Sequence, residues 1–245
     1  MILPTKEQLE LFKSTPGAIS VCEMVAIINV AAQAPVGTCA EMGSHRGKSG
    51  IAAAIGLSNT KNTQLHMVDP LYDMDNLEAW RHADQKHPDN AWQGAREQGF
   101  RPEVEWTIFA ASNKNIETGD ISPVLHGDYS TNAIPRLHSI HGPFSYVFID
   151  SDQHQYELVH AECELLKDKM VMGGIIAFHD LFSQFSGVEQ AYRELISTGK
   201  YEEVAIDWES IKAWVKDNGG EVGNNSWHHT DKEFPCFFGA LRRIK

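Results

Sequence analysis

The sequence predicts an α/β fold built on a mostly parallel sheet. Short apolar runs alternate along the chain with helical stretches, as expected for strands connected by crossover helices. An early strand leads into a glycine-rich turn and then a helix, within residues 36–57. No linker rich in proline, glycine or serine divides the 245 residues, so we expect a single domain over residues 1–245.

The predicted elements follow in order along the chain. Two leading helices, at residues 7–13 and 19–33, form an N-terminal segment over residues 1–35, and the second is strongly apolar. Apolar runs bounded by turn residues predict strands at 36–42, 64–68, 123–126, 144–149, 175–178, 203–206 and 236–241. Helical patterns occupy 48–57, 156–167 and 188–197, and Gly173-Gly174 is predicted to be a turn.

Two long segments interrupt this alternation, at residues 71–118 and 207–235. A crossover between consecutive strands of a compact α/β unit is ordinarily shorter than the first of them. We therefore interpret both segments as insertions that form a lid or a wall for the substrate.

Charge and composition narrow the classes of partner. The formal net charge is −12, which repels a phosphate backbone, so a small molecule is favoured over nucleic acid. No apolar run reaches the length of a membrane span, and residues 1–17 lack the pattern of a secretory signal. We expect a cytoplasmic protein without a membrane partner. The apolar helix at 19–33 would either cover the sheet or serve a homo-oligomer interface.

The segment from Glu41 to Ser49 is a candidate ligand-binding loop. A dinucleotide loop needs Gly-x-Gly-x-x-Gly, and this one has only Gly43 and Gly47 at a spacing of four. A P-loop would match Gly47-Lys48-Ser49, but its first glycine would fall on Met42. The acid at Glu41 would repel a polyphosphate and would hold the cationic amino end of a methionine-like ligand. An ordinary strand–turn–helix remains the alternative.

Carboxylates follow the next strands of the predicted sheet. Asp69 lies 22 residues beyond Gly47, a spacing that suits a carboxylate accepting hydrogen bonds from ribose hydroxyls. Asp150 follows a buried strand, and His179-Asp180 follows the next parallel one, so these side chains should lie together. Such a cluster suits a divalent cation such as Mg²⁺. His154 is the candidate general base, because its ordinary pKa lies near working pH.

Together these motifs resemble a class I S-adenosylmethionine-dependent methyltransferase, of the branch that includes catechol O-methyltransferase-like and macrolide- or cephalosporin-tailoring enzymes. The residues that carry the resemblance lie between about 37 and 181, in the family's order: Glu41-x-Gly43-x-x-x-Gly47-x-Ser49, Val68-Asp69, Gly127-Asp128-Tyr129-Ser130, Phe148-Ile149-Asp150-x-Asp152-x-x-x-Tyr156, and Gly173-Gly174 with Phe178-His179-Asp180.

The resemblance implies a Rossmann-like, doubly wound, seven-stranded sheet, mostly parallel with one antiparallel edge strand. It implies that Asp69 would take the ribose and that Asp128 and Tyr129 would lie near the adenine. It also implies that Asp150 and Asp180, joined by His179, would bind a divalent metal. The methionine part of the cofactor would be held by Glu41, Gly43, Ser44, Gly47 and Ser49.

The chain departs from the metal-dependent catechol-type pattern at two places. Gln153 stands where that pattern has lysine, and His179-Asp180 stands where it has Asp-Asn. Glutamine cannot act as a base, so His154, with Asp150, is the catalytic candidate.

The sequence thus predicts transfer of a methyl group from S-adenosylmethionine to a hydroxyl oxygen of a small molecule, with assistance from a divalent metal such as Mg²⁺. The alternative enzyme is a P-loop-like nucleotide hydrolase that uses Gly47-Lys48-Ser49. The non-enzymatic alternative is a cofactor-binding protein that has lost catalysis.

Overall fold

The computed structural model describes residues 1–15, 17, 19–45, 47–70, 121–151, 155–181, 183, 185–218 and 237–245. Its strands form one seven-stranded sheet, in the order β3-β2-β1-β4-β5-β7-β6. Strands β1 to β5 pair in parallel, and β7 runs antiparallel to both of its neighbours. The strands are β1 (Thr38–Met42), β2 (Gln64–Val68), β3 (Ser122–His126), β4 (Phe144–Ile149), β5 (Met170–Phe178), β6 (Tyr201–Glu203) and β7 (Gly239–Arg243).

Helices cover both faces of the sheet, because side chains alternate along each strand. Leu65 and Met67 of β2 face one helical layer, while Val68 faces the other. The first layer contains α1 (Lys6–Ser14), α2 (Val21–Ala31), α3 (Lys48–Leu57) and α7 (Trp208–Asp217). The second layer contains α4 (Ser130–His141), α5 (Tyr156–Leu166) and α6 (Ser186–Ser197). The predicted doubly wound, mostly parallel, seven-stranded sheet is confirmed.

The order of the strands places a crevice beside β1. The chain moves from β1 outward to β2 and β3, and then returns to pair β4 with the other side of β1. In an open α/β sheet, ligands bind beyond the carboxyl ends of the strands at such a reversal. The loops after β1 and β4 therefore meet where a ligand is expected.

The two leading helices begin with reciprocal capping contacts. In α2 the Ser20 hydroxyl accepts from the backbone N–H of Glu23, while the Glu23 carboxylate accepts from the N–H of Ser20 at 2.8 Å. Thr5 and Gln8 make the same pair of contacts at α1. Almost every side chain of α2 is buried, so this helix covers the sheet. None of the described helices is long and apolar enough to cross a membrane.

Some boundaries differ from the sequence prediction. The Gly173-Gly174 pair is not a turn before β5 but lies inside it, at an irregularity in the pairing with β4 where Gly173 has φ +77°. The reversed strand β7 lies one place in from the edge, which β6 forms. β6 ends at Glu203, where the predicted strand was to begin, and β7 begins three residues later than predicted.

Two of the helices in the described residues were not predicted. The α4 helix contains Pro135, which removes one backbone donor and masked the apolar spacing of Ala133, Ile134 and Leu137. The α7 helix lies within the segment 207–235, where Ile211 and Val215 face the core. The rest of that segment, from 219 onward, and the segment 71–118 lie outside the described residues.

Candidate active site at the carboxyl ends of the strands

The loop after β1 packs directly against the loop after β4. Gly43 has φ +84°, and a β-carbon there would lie 2.1 Å from the carbonyl oxygen of Asp150. Only glycine permits both this backbone conformation and this approach. The N–H groups of Gly43 and Ser44 donate to the Val68 carbonyl, at 2.8 and 3.2 Å, which ties the loop to the end of β2 as well.

The loop ends at Gly47, which begins α3. Gly47 has φ +79°, and no side chain caps the N-terminus of this helix. The first N–H groups of α3 therefore lack the side-chain acceptor that many helices provide. Helix N-termini of this kind favour an anionic group such as a carboxylate.

Glu41 is fully buried at the end of β1. Its Oε1 accepts a hydrogen bond from the Ser49 hydroxyl, while Oε2 has no hydrogen-bond partner among the described residues. A β-carbon at Gly50 would lie 2.9 Å from Oε2, so the carboxyl group lies against α3. Burial raises the pKa of Glu41 to about 8, and the nearby charges of Asp150 and Asp69 act in the same direction.

Asp69 fastens the same loop from the neighbouring strand. Its Oδ2 accepts from the backbone N–H of His45 at 2.8 Å, and its own N–H donates to the His126 carbonyl at 3.0 Å. His45 has φ +46°, a left-handed conformation that few residues other than glycine adopt. The carboxylate of Asp69 thus holds an unusual turn at the mouth of the crevice.

Asp128 and Tyr129 lie between β3 and α4. The Asp128 carboxylate accepts from the N–H of Tyr129 at 2.9 Å and from Asn132 at 3.2 Å, and it pairs with Arg136 at 3.2 Å. The Tyr129 side chain is exposed. Asp128 therefore fixes the local turn, and the ring of Tyr129 is accessible for stacking.

The predicted acidic cluster is present at the ends of β4 and β5. His179 Nδ1 lies 3.2 Å from Asp150 Oδ1 and 3.2 Å from Asp180 Oδ2. One ligand atom from each of these three residues lies within 4.8 Å of the others. His179 and Asp180 are buried, whereas Asp150 is partly exposed toward solvent. The three side chains can surround a single cation.

Glu23 is a fourth member of this cluster that the sequence prediction missed. Its Oε1 lies 3.4 Å from His179 Nε2, although it belongs to α2, far away in sequence. Burial alone would lower the pKa of His179, but Asp150 and Glu23 outweigh burial and raise that pKa well above its ordinary value. The capping pattern of α2 predicts where the helix begins, but it does not predict that the other carboxylate oxygen of Glu23, Oε1, faces His179.

Glu162 is a second buried acid that was missed. It lies on α5, and its Oε1 accepts a hydrogen bond from Ser151, the residue after Asp150. Burial raises the pKa of Glu162 to about 7, although the nearby hydroxyls of Ser130 and Ser151 act in the opposite direction. Glu162 therefore holds the loop after β4 from α5. The helical periodicity predicted its helix but gave no reason to select this acid.

Two predictions about individual side chains have different outcomes. His154 lies outside the described residues, so its role as the base stays a prediction. Lys48, the residue a P-loop would need, lies away from the loop: its Nζ is 3.4 Å from the Gly17 carbonyl and 4.8 Å from the centre of the Phe12 ring. Because the Lys48 side chain points away from the loop, the structure does not favour the P-loop-like nucleotide hydrolase.

A sequence profile of a family described as a methyltransferase domain matches residues 40–181, more than half of the chain. The chain belongs to this methyltransferase family. The matched segment begins in β1 and ends just after Asp180, so it contains the crevice loops but not α2 with Glu23. The prediction of a methyltransferase from the motifs is confirmed.

Solved structures show the same fold for this methyltransferase. An O-methyltransferase from Bacillus cereus in complex with SAH has a TM-score of 0.53 at 12% identity, covering 100% of this chain and 94% of its own. The calicheamicin methyltransferase CalS11 has a TM-score of 0.53 at 14% identity, and the match covers 98% of this chain and 94% of CalS11. A search of curated protein sequences found no match.

Proposed function

We propose that this methyltransferase transfers the sulfonium methyl group of S-adenosylmethionine to a hydroxyl oxygen of a small molecule. The observation that carries the proposal is the contact of Gly43 with Asp150, because it joins the candidate cofactor loop to the acidic cluster. Methyl transfer needs the donor methyl and the acceptor oxygen held close together and aligned. The packing of the two loops supports one site for both reactants.

The residues of the crevice are assigned by their chemistry. The uncapped start of α3 suits the carboxylate of the methionine part, and Glu41 suits its ammonium group. Asp69, which follows β2 beside the loop, would accept hydrogen bonds from the ribose hydroxyls. The exposed ring of Tyr129 would stack on the adenine beside Asp128. The full proposed set for the cofactor is Glu41, Gly43, Ser44, Gly47, Ser49, Asp69, Asp128 and Tyr129.

The acidic cluster would bind a divalent cation. The donor set fits, since Asp150, His179 and Asp180 each offer one ligand atom within 4.8 Å of the others, and two of the three donors are carboxylate oxygens. Such a cation would lower the pKa of the acceptor hydroxyl. Asp150 is the most exposed of the three and borders the crevice, so it would also orient the acceptor.

A small acceptor is favoured by charge and by the organisation of the chain. The net charge of −12 opposes a nucleic-acid substrate. The segments 71–118 and 207–235 are the proposed source of acceptor specificity, because their sequences contain no motif of the cofactor site.

Calorimetry with S-adenosylhomocysteine tests the cofactor proposal directly. Micromolar binding that is weakened by Asp69→Ala would support it, and absence of binding with and without added divalent cation would overturn it. Turnover is then measured with hydroxyl-bearing acceptors, following the conversion of S-adenosylmethionine to S-adenosylhomocysteine. Cofactor binding without turnover on any acceptor class would favour the catalytically silent alternative.

The role of the metal is tested separately. Asp150→Ala and Asp180→Ala are expected to abolish cation-dependent turnover while leaving binding of S-adenosylhomocysteine largely intact. Equal activity in excess EDTA would remove the cation from the mechanism without affecting the cofactor proposal.

A further inference from the structure

Glu23 reaches the acidic cluster from outside the matched family segment. The side chain is fully buried and is held by the backbone on two sides. Its Oε2 accepts from the N–H of Ser20 at 2.8 Å, and its Oε1 accepts from the N–H of Phe237 at 2.9 Å. Since Oε1 also faces His179 Nε2 at 3.4 Å, the carboxylate has a fixed position from which to act on the imidazole.

Glu23 lies on the side of the His179 imidazole opposite the two aspartates. With Nε2 turned toward Glu23, Nδ1 is turned toward Asp150 and Asp180, at 3.2 Å from an oxygen of each. Metal-binding histidines characteristically donate their second ring N–H to a carboxylate, which fixes the tautomer and leaves the other nitrogen's lone pair for the metal. Here Glu23 lies behind Nε2 at 3.4 Å, an ion-pair distance without a hydrogen bond, and Nδ1 lies within hydrogen-bond distance of both aspartates. A cation bound between the aspartates would take the place of the Nδ1 proton.

We propose that Glu23 is a positioning residue that presents Nδ1 of His179 as a nitrogen ligand, so that the cluster selects a transition-metal dication over Mg²⁺. The inference rests on the cation site of the proposed function. Mg²⁺ prefers oxygen ligands and gives up its water reluctantly, whereas Zn²⁺, Co²⁺ and related ions accept imidazole readily. A histidine oriented by a buried glutamate therefore favours the second group of ions.

The test compares Co²⁺ and Mg²⁺ on metal-free, full-length protein. Calorimetry gives the two affinities, and the visible absorption of Co²⁺ reports its ligands independently of activity. Transition metals bind most protein sites more tightly than Mg²⁺, so the informative quantity is the change in the Co²⁺-to-Mg²⁺ affinity ratio between variants.

Glu23→Gln is expected to lower Co²⁺ affinity by about 10- to 100-fold, the usual effect of losing a carboxylate behind a metal-binding histidine. Mg²⁺ affinity is expected to change much less, because the two aspartates remain. Ser20→Ala is the matched control: it removes the side-chain cap of α2 but leaves the Glu23 carboxylate, so the ratio should stay at the wild-type value.

His179→Gln provides a second test should Glu23→Gln fail to fold. It is expected to reduce the Co²⁺-to-Mg²⁺ ratio and change the Co²⁺ spectrum. An unchanged ratio and spectrum in either variant would overturn the inference, as would a wild-type protein that binds no cation. Binding of S-adenosylhomocysteine is measured on the same samples, so a failure of the cation inference is distinguished from a failure of the proposed cofactor site.

Discussion

Replacing Glu41 by glutamine should alter how the stability of the protein depends on pH. Glutamine keeps the size of the side chain and an oxygen to accept the Ser49 hydrogen bond, but it carries no charge at any pH. The unfolded chain loses the Glu41 proton near the ordinary pKa of 4.5, whereas the folded protein keeps it until about pH 8. In this interval the folded state binds more protons, so wild-type stability falls as pH rises.

The structure sets the size of this effect. A rise in pKa from 4.5 to about 8 corresponds to about 5 kcal/mol, at about 1.4 kcal/mol for each pH unit. The contribution is fully present below pH 4.5 and is lost by pH 8. The free energy of unfolding of the glutamine variant minus that of wild type should therefore be several kcal/mol larger at pH 8.5 than at pH 5.

Denaturant unfolding of both proteins at intervals between pH 5 and pH 9 measures this difference. Glu202→Gln is a suitable control, because Glu202 is exposed and its replacement should give a flat difference across the range. A flat difference for Glu41→Gln as well would refute the reasoning, since it would mean that the buried carboxyl group ionises in the folded protein as easily as in water.

Three further variants, the first with a comparison variant at Gly173, test other contacts of the crevice. Gly43→Ala should unfold at a markedly lower temperature than wild type and lose S-adenosylhomocysteine binding, because its β-carbon would meet the Asp150 carbonyl at 2.1 Å. Gly173→Ala is the comparison variant, since Gly173 has φ +77° but open space around it. It should cost only about 1–2 kcal/mol of stability in denaturant unfolding. Asp69→Ala should weaken S-adenosylhomocysteine binding in calorimetry by about 10- to 100-fold, the range expected for hydrogen bonds to a charged group. Glu162→Gln should gain stability over wild type between pH 4.5 and pH 7, by about 3 kcal/mol in the same unfolding assay, because burial raises the pKa of that glutamate to about 7.

Much of the fold follows from local patterns. The segments at 48–57, 64–68 and 144–149 have the predicted boundaries, because each is a mainly apolar run between turn signals. The turn predicted from the spacing of Glu41, Gly43 and Gly47 likewise depends only on residues close together in sequence. Such features are predictable because the residues that determine them lie within a single strand, turn or helix.

The missed features depend on contacts between distant segments. Pro135 argues against a helix locally, yet the packing of α4 against the sheet overrides that preference. Glu23 enters the site only because α2 packs against β5, and its contact with His179 spans most of the chain. No periodicity within residues 19–33 distinguishes this acid from an ordinary capping glutamate.

The buried acids give the crevice a common electrostatic character. Glu41 and Glu162 lie beneath the loops that carry Asp69 and Asp150, and burial makes both reluctant to ionise without a positive partner. S-adenosylmethionine would bring two positive groups, an ammonium and a sulfonium, into this environment. After methyl transfer the sulfur is neutral, so the product keeps only one of the two attractions. A crevice lined in this way would bind the charged donor in preference to the product, which favours release after each turnover.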